Sequence, residues 1–241
     1  MKKLLITLLA ITLLATAAVA DDGGSGDSSS SSSIGLSVGV DYWSNYVWRG
    51  YNFYSGQGVF FPWISYAVGD TGLAFTIAGE YSDETLGDDI QSNKALQALD
   101  FAVAYEKSIG KMLTVGASVW YFWLYNSADE SADDIDASFL TATLSFTFDS
   151  VPLSPSLAIN YDYYMDEDFA ENKDNASDIY ITLGFGKDFE LVKGSTLNLG
   201  ATIGYYNAPS VTASGISDVT ATAKLETTSG PTTLYGSINY T

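Results

Sequence analysis

The chain has 241 residues, 46% of them hydrophobic and 14% aromatic, and its 29 acidic against 10 basic side chains leave a formal net charge of −19. Nucleic acid and anionic head groups are poor partners for so acidic a molecule. Cys is absent, which removes disulfides, thiolate metal sites and a Cys nucleophile. His is absent too, and with it the side chain that most readily moves protons near neutral pH, so no enzyme is expected.

Lys2 and Lys3 precede an apolar run over 4–14, and Ala18, Val19 and Ala20 supply a small-residue cleavage pattern, so residues 1–20 read as a secretory signal peptide. Its removal takes two lysines away and moves the formal charge from −19 to −21. No Cys follows for a lipid anchor, and no later apolar run approaches the roughly 18 residues of a membrane helix. Residues 21–33, DDGGSGDSSSSSS, form a Gly/Ser/Asp leader that cannot bury apolar surface, either a plain spacer or a segment threaded into a pore.

From residue 34 onward the pattern has a period of two. In 113–125, LTVGASVWYFWLY, Leu113, Val115, Ala117, Val119, Tyr121, Trp123 and Tyr125 share one phase, with Thr114, Gly116 and Ser118 between them. The pattern recurs, and eleven strands are predicted at 34–48, 58–68, 72–83, 95–108, 112–125, 137–149, 153–165, 178–189, 195–207, 217–226 and 232–241. Short turns with Gly, Pro or Asp alternate with longer polar connections at 49–57, 84–94, 126–136, 166–177 and 208–216. Strands with one apolar face, aromatic ends and alternating connection lengths predict an all-β fold over 34–241, a transmembrane antiparallel up-and-down β-barrel of the bacterial outer membrane. The short turns would face the periplasm and the acidic connections the outside.

Eleven strands would leave the two ends of the chain on opposite sides, whereas such barrels usually have an even number. The leading explanation is a twelfth strand beyond Thr241, because the sequence stops at Asn239, Tyr240 and Thr241 without a terminal aromatic residue; the second is that 34–53 holds two strands.

Residues 44–65 read SNYVWRGYNFYSGQGVFFPWIS. Ser44, Tyr46, Arg49 and Gly50, followed by Pro62 and Tyr66, resemble the opening of the Gcw_chp (TorF-like) family of proteobacterial outer-membrane barrels, whose first strand ends in a pattern like S-x-Y-x-x-R-G and whose second carries a Pro before a Tyr. The resemblance implies a twelve-stranded barrel and brings no established activity with it.

With Leu36, Val38, Val40 and Tyr42 outward, the opposite phase of the first strand carries Asp41 and, if the strand continues, Arg49. Arg49 would then sit at the outer mouth of the lumen and pair with Glu80 or Asp41, as a structural pin or as a constriction charge. Phase also places Asp100, Glu106, Asp162, Lys187, Lys224 and Glu226 inside. Twelve strands enclose a narrow lumen, fit for small solutes at most. Trp43, Phe61, Trp63, Trp120 and Phe122 fall on the inward phase and form either part of an interfacial girdle, with Tyr46, Trp48, Tyr164 and Tyr206 among others, or an aromatic vestibule that stacks a ligand.

Asp129, Glu130, Asp133, Asp134 and Asp136 are dense enough to chelate calcium, but no connection has the EF-hand spacing, and a solvated charge run is the plainer reading. No catalytic constellation, Gly-rich phosphate loop or cofactor motif is visible. The expected function is a narrow channel or transporter for small solutes; the alternative is a sealed structural barrel whose acidic connections meet lipopolysaccharide, cations or partners. Membrane lipid and lipopolysaccharide are the expected surroundings.

Overall fold

A computed structural model describes residues 10–15, 35–52, 58–82, 95–124, 137–165, 177–209, 213–229 and 232–240. Its frame is an antiparallel up-and-down sheet in chain order: β2 (Gly35–Trp43), β5 (Val59–Ala67), β6 (Leu73–Ser82), β7 (Ala95–Ile109), β8 (Leu113–Leu124), β9 (Ala137–Thr147), β10 (Ser156–Tyr164), β11 (Ser177–Val192), β12 (Ser195–Ala208), β13 (Ala213–Ser229) and β14 (Thr232–Tyr240). These eleven strands alone make an open sheet. A six-residue strand, β1 (Ala10–Ala15), lies between the two edges, six of its residues paired with β14 and three with β2, and completes a ring of twelve. β1 lies inside the segment read as a signal peptide, whose removal would leave the eleven strands as an open sheet.

The period of two becomes two faces. Phe60, Ile64, Phe75, Ile77, Val103 and Ile203 point away from the lumen and are each more than 40% exposed. The buried residues are inside, and many are polar: Arg49, Glu80, Asp100, Thr141, Asp162 and Asp178. Leaving a continuous apolar belt in water is unfavourable.

The structure differs from the sequence reading at several strand ends, three of which bear on the site. The first strand, expected over 34–48, stops at Trp43; residues 47–52 leave the wall as a small separate hairpin of β3 (Val47–Trp48) and β4 (Tyr51–Asn52). The strand expected from 153 starts at Ser156, because Leu153 and Ser154 adopt positive φ values of 67° and 37° in the preceding turn. β13 begins at Ala213 rather than 217, and its register with β12 slips between Gly204 and Tyr205, leaving Ser217 as the extra residue of a bulge.

Candidate functional site

The β3–β4 hairpin is built on a two-residue turn. Trp48 pairs with Tyr51, and the intervening Arg49 and Gly50 have φ values of +53° and +86°. Positive φ at both central positions is the type I′ pattern, whose backbone matches the twist of the flanking strands. Asn or Gly fills the first position at little cost; an arginine there is held by contacts elsewhere.

Those contacts lie across the lumen. Arg49, the only arginine in the chain, is 7% exposed and forms an ion pair with Asp162 of β10. Its guanidinium lies 4.7 Å from the centre of the Trp48 ring and 5.2 Å from that of Tyr180. Asp162 also accepts a 2.6 Å hydrogen bond from Thr141 Oγ1, and its direct cross-strand partner in the β10–β11 ladder is Asp178, which accepts hydrogen bonds from Tyr206 Oη (2.7 Å) and Tyr164 Oη (2.9 Å). Two buried carboxylates facing each other across a ladder repel. Arg49 offsets that repulsion and draws the hairpin onto this wall.

The hairpin tip meets the β13 bulge. A Cβ added to Gly50 would come within 2.7 Å of the Ser217 carbonyl oxygen. Gly50→Ala therefore meets both a positive φ and the opposite backbone, and a loss of more than about 1 kcal/mol with displacement of the hairpin is expected. Because Arg49 is the sole arginine, an arginine-specific protease reports this directly: the folded wild-type barrel should resist cleavage and the variant should be cut once.

Behind the tip, the hairpin base caps a chamber of about 690 Å³ inside the ring. Trp43, Phe61, Trp63, Trp120 and Phe122 all line it, together with Asp41, Glu80 and Asp100. Tyr46, Val47 and Trp48 close it from the hairpin side. The rings form a continuous chain: Trp43 lies edge-on to Phe61 at 5.9 Å, Tyr46 to Phe61 at 5.1 Å and Trp48 to Phe122 at 5.6 Å, while Phe122 stacks on Phe139 at 4.5 Å. Across β2 and β5, Trp63 lies against Gly39, where a Cβ would come within 2.5 Å of its ring. Tyr46, in the connection before the hairpin, is half-buried; its surroundings raise its phenol well above the ordinary range, chiefly by desolvation, with Glu80 and then Asp100 adding to this and Arg49 opposing it.

Several expectations change. Arg49 is not on the first strand, and its partner is Asp162 rather than Glu80 or Asp41, because the chain turns at 44–46 and folds inward. Asp41 instead accepts from Tyr235 Oη at 3.1 Å. Glu80 and Asp100 are buried in the chamber wall, whereas Glu106 is exposed towards the short-turn end. Lys187 is also exposed and borders a second space of about 360 Å³ near that end, lined by polar residues such as Ser156, Asn198 and Thr222. Lys224 pairs with Glu226 at 2.8 Å and covers the Tyr235 ring at 4.3 Å. Tyr206 is buried and Tyr46, Trp48 and Tyr164 are turned inward around Arg49 and the chamber, so none of these four belongs to an outer girdle. The calcium candidates Asp129, Glu130, Asp133, Asp134 and Asp136 lie outside the described residues.

The sequence reading missed Asp178, Tyr180 and Asp218 as lumenal groups. Asp178 was expected at the edge of an acidic connection, although its alternation with Ile179, Tyr180 and Ile181 places it on the inward phase. Tyr180 Oη donates to Asp218 at 2.9 Å, and Ser217 Oγ donates to the same carboxylate at 2.6 Å. Comparison with protein-family models, curated proteins and solved structures finds no match for this chain.

Proposed function

We propose that this chain is an outer-membrane β-barrel that passes small solutes through a narrow lumen, with the inward-folded 47–52 hairpin as its constriction. The membrane address is supported by the apolar outer face and by the amino-terminal pattern of an exported protein. The observation that carries the passage reading is the lumen itself, with a polar-lined space at the short-turn end and the 690 Å³ chamber bounded by the hairpin. The resemblance of Ser44, Tyr46, Arg49 and Gly50 to the Gcw_chp pattern fits this reading, since these residues make or flank the hairpin. No catalytic role is proposed.

The address has its own test. Ile77→Arg on the outer face is expected to destabilise the barrel in bilayers by about 2–4 kcal/mol, as for a charge near the membrane midplane. Equal stability of the variant and the wild type in lipid would argue that this face does not meet hydrocarbon.

Passage is tested by planar-bilayer recording of the refolded chain. Small discrete steps are expected, because the hairpin narrows the lumen. A silent bilayer with verified folded protein would favour the second reading, a sealed structural barrel. The specific support for that reading is the Arg49–Asp162 pair set against packed rings, an arrangement that closes a lumen well.

A further inference from the structure

The lumenal acids are not all tied off alike. Asp41 accepts from Tyr235, Asp162 from Thr141, Asp178 from Tyr164 and Tyr206, and Asp218 from Tyr180 and Ser217. Asp100 is the exception: it is 3% exposed, it lines the chamber, and its Oδ1 has no hydrogen-bond partner. A buried acceptor without a donor is costly, and such an atom beside an open cavity points to a group that enters it.

The surroundings define that group. Glu80 stands diagonally across the β6–β7 ladder, since Glu80 pairs with Ala98 and Asp100 with Ala78, and it lines the same chamber, as does Asp41. The lone arginine points away to Asp162, and Lys187 and Lys224 are not among the lining residues. The chamber therefore gathers three carboxyl groups with no basic side chain in its lining, an arrangement that an entering cationic group would relieve. Among the described residues no three acidic side chains are grouped closely enough to hold a metal ion. What the walls offer besides carboxylate is aromatic surface, from Trp43, Phe61, Trp63, Trp120 and Phe122. Ring faces attract organic ammonium groups, and an apolar body finds the rest of its contacts there.

We propose that the chamber binds an organic ammonium ion with an apolar or aromatic body, its cationic head against Asp100 and Glu80 and its body among the rings of Trp43, Phe61, Trp63 and Trp120. This deepens the passage reading by naming the solute class, and it rests on the same chamber.

The test is binding of benzylammonium to the refolded full chain in detergent, followed by tryptophan fluorescence, with benzyl alcohol, benzoate and calcium chloride as comparison probes. Saturable binding of the ammonium is expected, at least tenfold tighter than benzyl alcohol, with no saturable response to benzoate or calcium. Asp100→Asn is expected to weaken the ammonium at least tenfold and to leave benzyl alcohol unchanged; Glu80→Gln supplies the same comparison should the first variant fail to fold. Equal affinity for ammonium and alcohol, preference for calcium, or an unchanged affinity in a folded acid variant would overturn the proposal. Bilayer recordings separate it from the function it rests on. Saturable ammonium binding by a barrel that never conducts supports the site and removes passage; conducting steps without ammonium binding keep passage and remove the site.

Discussion

Arg49→Ala is expected to destabilise the folded barrel by about 3–5 kcal/mol, the usual consequence of stripping one partner from a buried ion pair. The reason lies in the wall rather than in the hairpin. Asp162 and Asp178, each 1% exposed, face one another across β10 and β11, and the guanidinium adds to the hydroxyls of Thr141, Tyr164 and Tyr206 in offsetting their repulsion. The hairpin also loses its anchor. Denaturant unfolding in micelles measures the first effect, and larger steps in a planar bilayer would report the second. The paired replacement Arg49→Met with Asp162→Asn removes both charges together and should recover much of the lost stability, whereas a loss below about 1 kcal/mol in Arg49→Ala would mean that the pair contributes little.

Phe122→Ala is expected to be comparably destabilising, about 3–5 kcal/mol, by another route and with another outcome for the lumen. Phe122 is 7% exposed, stacks on Phe139 at 4.5 Å and on Trp120 at 6.0 Å, and receives the edge of Trp48 at 5.6 Å. Its loss enlarges the chamber and forfeits these ring contacts, yet the ion pair between Arg49 and Asp162 is untouched. The hairpin should stay in place and the single arginine should stay protected from an arginine-specific protease, even though unfolding occurs at lower denaturant. Rapid cleavage after Arg49 in Phe122→Ala would show that ring packing, not the ion pair, holds the hairpin.

How much of this the sequence carried depends on the range of the interaction. Strand alternation is local, so the eleven segments from Gly35 to Tyr240 and the inward phase of Asp41, Glu80, Asp100 and Asp162 follow from spacing alone. The aromatic lining follows as well, because Phe61 and Trp63, or Trp120 and Phe122, are two apart. The inward fold of the hairpin does not. Asp41, Trp43 and Arg49 share a parity that suggests one continuous strand, and Arg-Gly is a weak signal for a type I′ turn, where Asn-Gly would have been a strong one. The partnership of Arg49 with Asp162 spans the lumen between residues more than a hundred positions apart, which no local pattern encodes. The pairing of Ala10–Ala15 with both sheet edges is hidden for a different reason: that segment reads as a plain apolar run without alternation.

The central claim is that the 47–52 hairpin governs passage through the lumen, and a reversible lock tests it most directly. The chain has no cysteine, and a Cβ on Gly50 would lie 3.3 Å from that of Ser217, close to the spacing of a disulfide. Gly50→Cys with Ser217→Cys therefore makes a single possible crosslink between the hairpin tip and the opposite wall. Reduced, the pair carries the same obstructing Cβ as Gly50→Ala, and the hairpin should swing free, giving larger steps in a planar bilayer than the wild type. Oxidised, the tip is fixed and those steps should vanish, to return on adding reductant. Conductance that is the same in both redox states, with the crosslink verified by mass, would contradict the account.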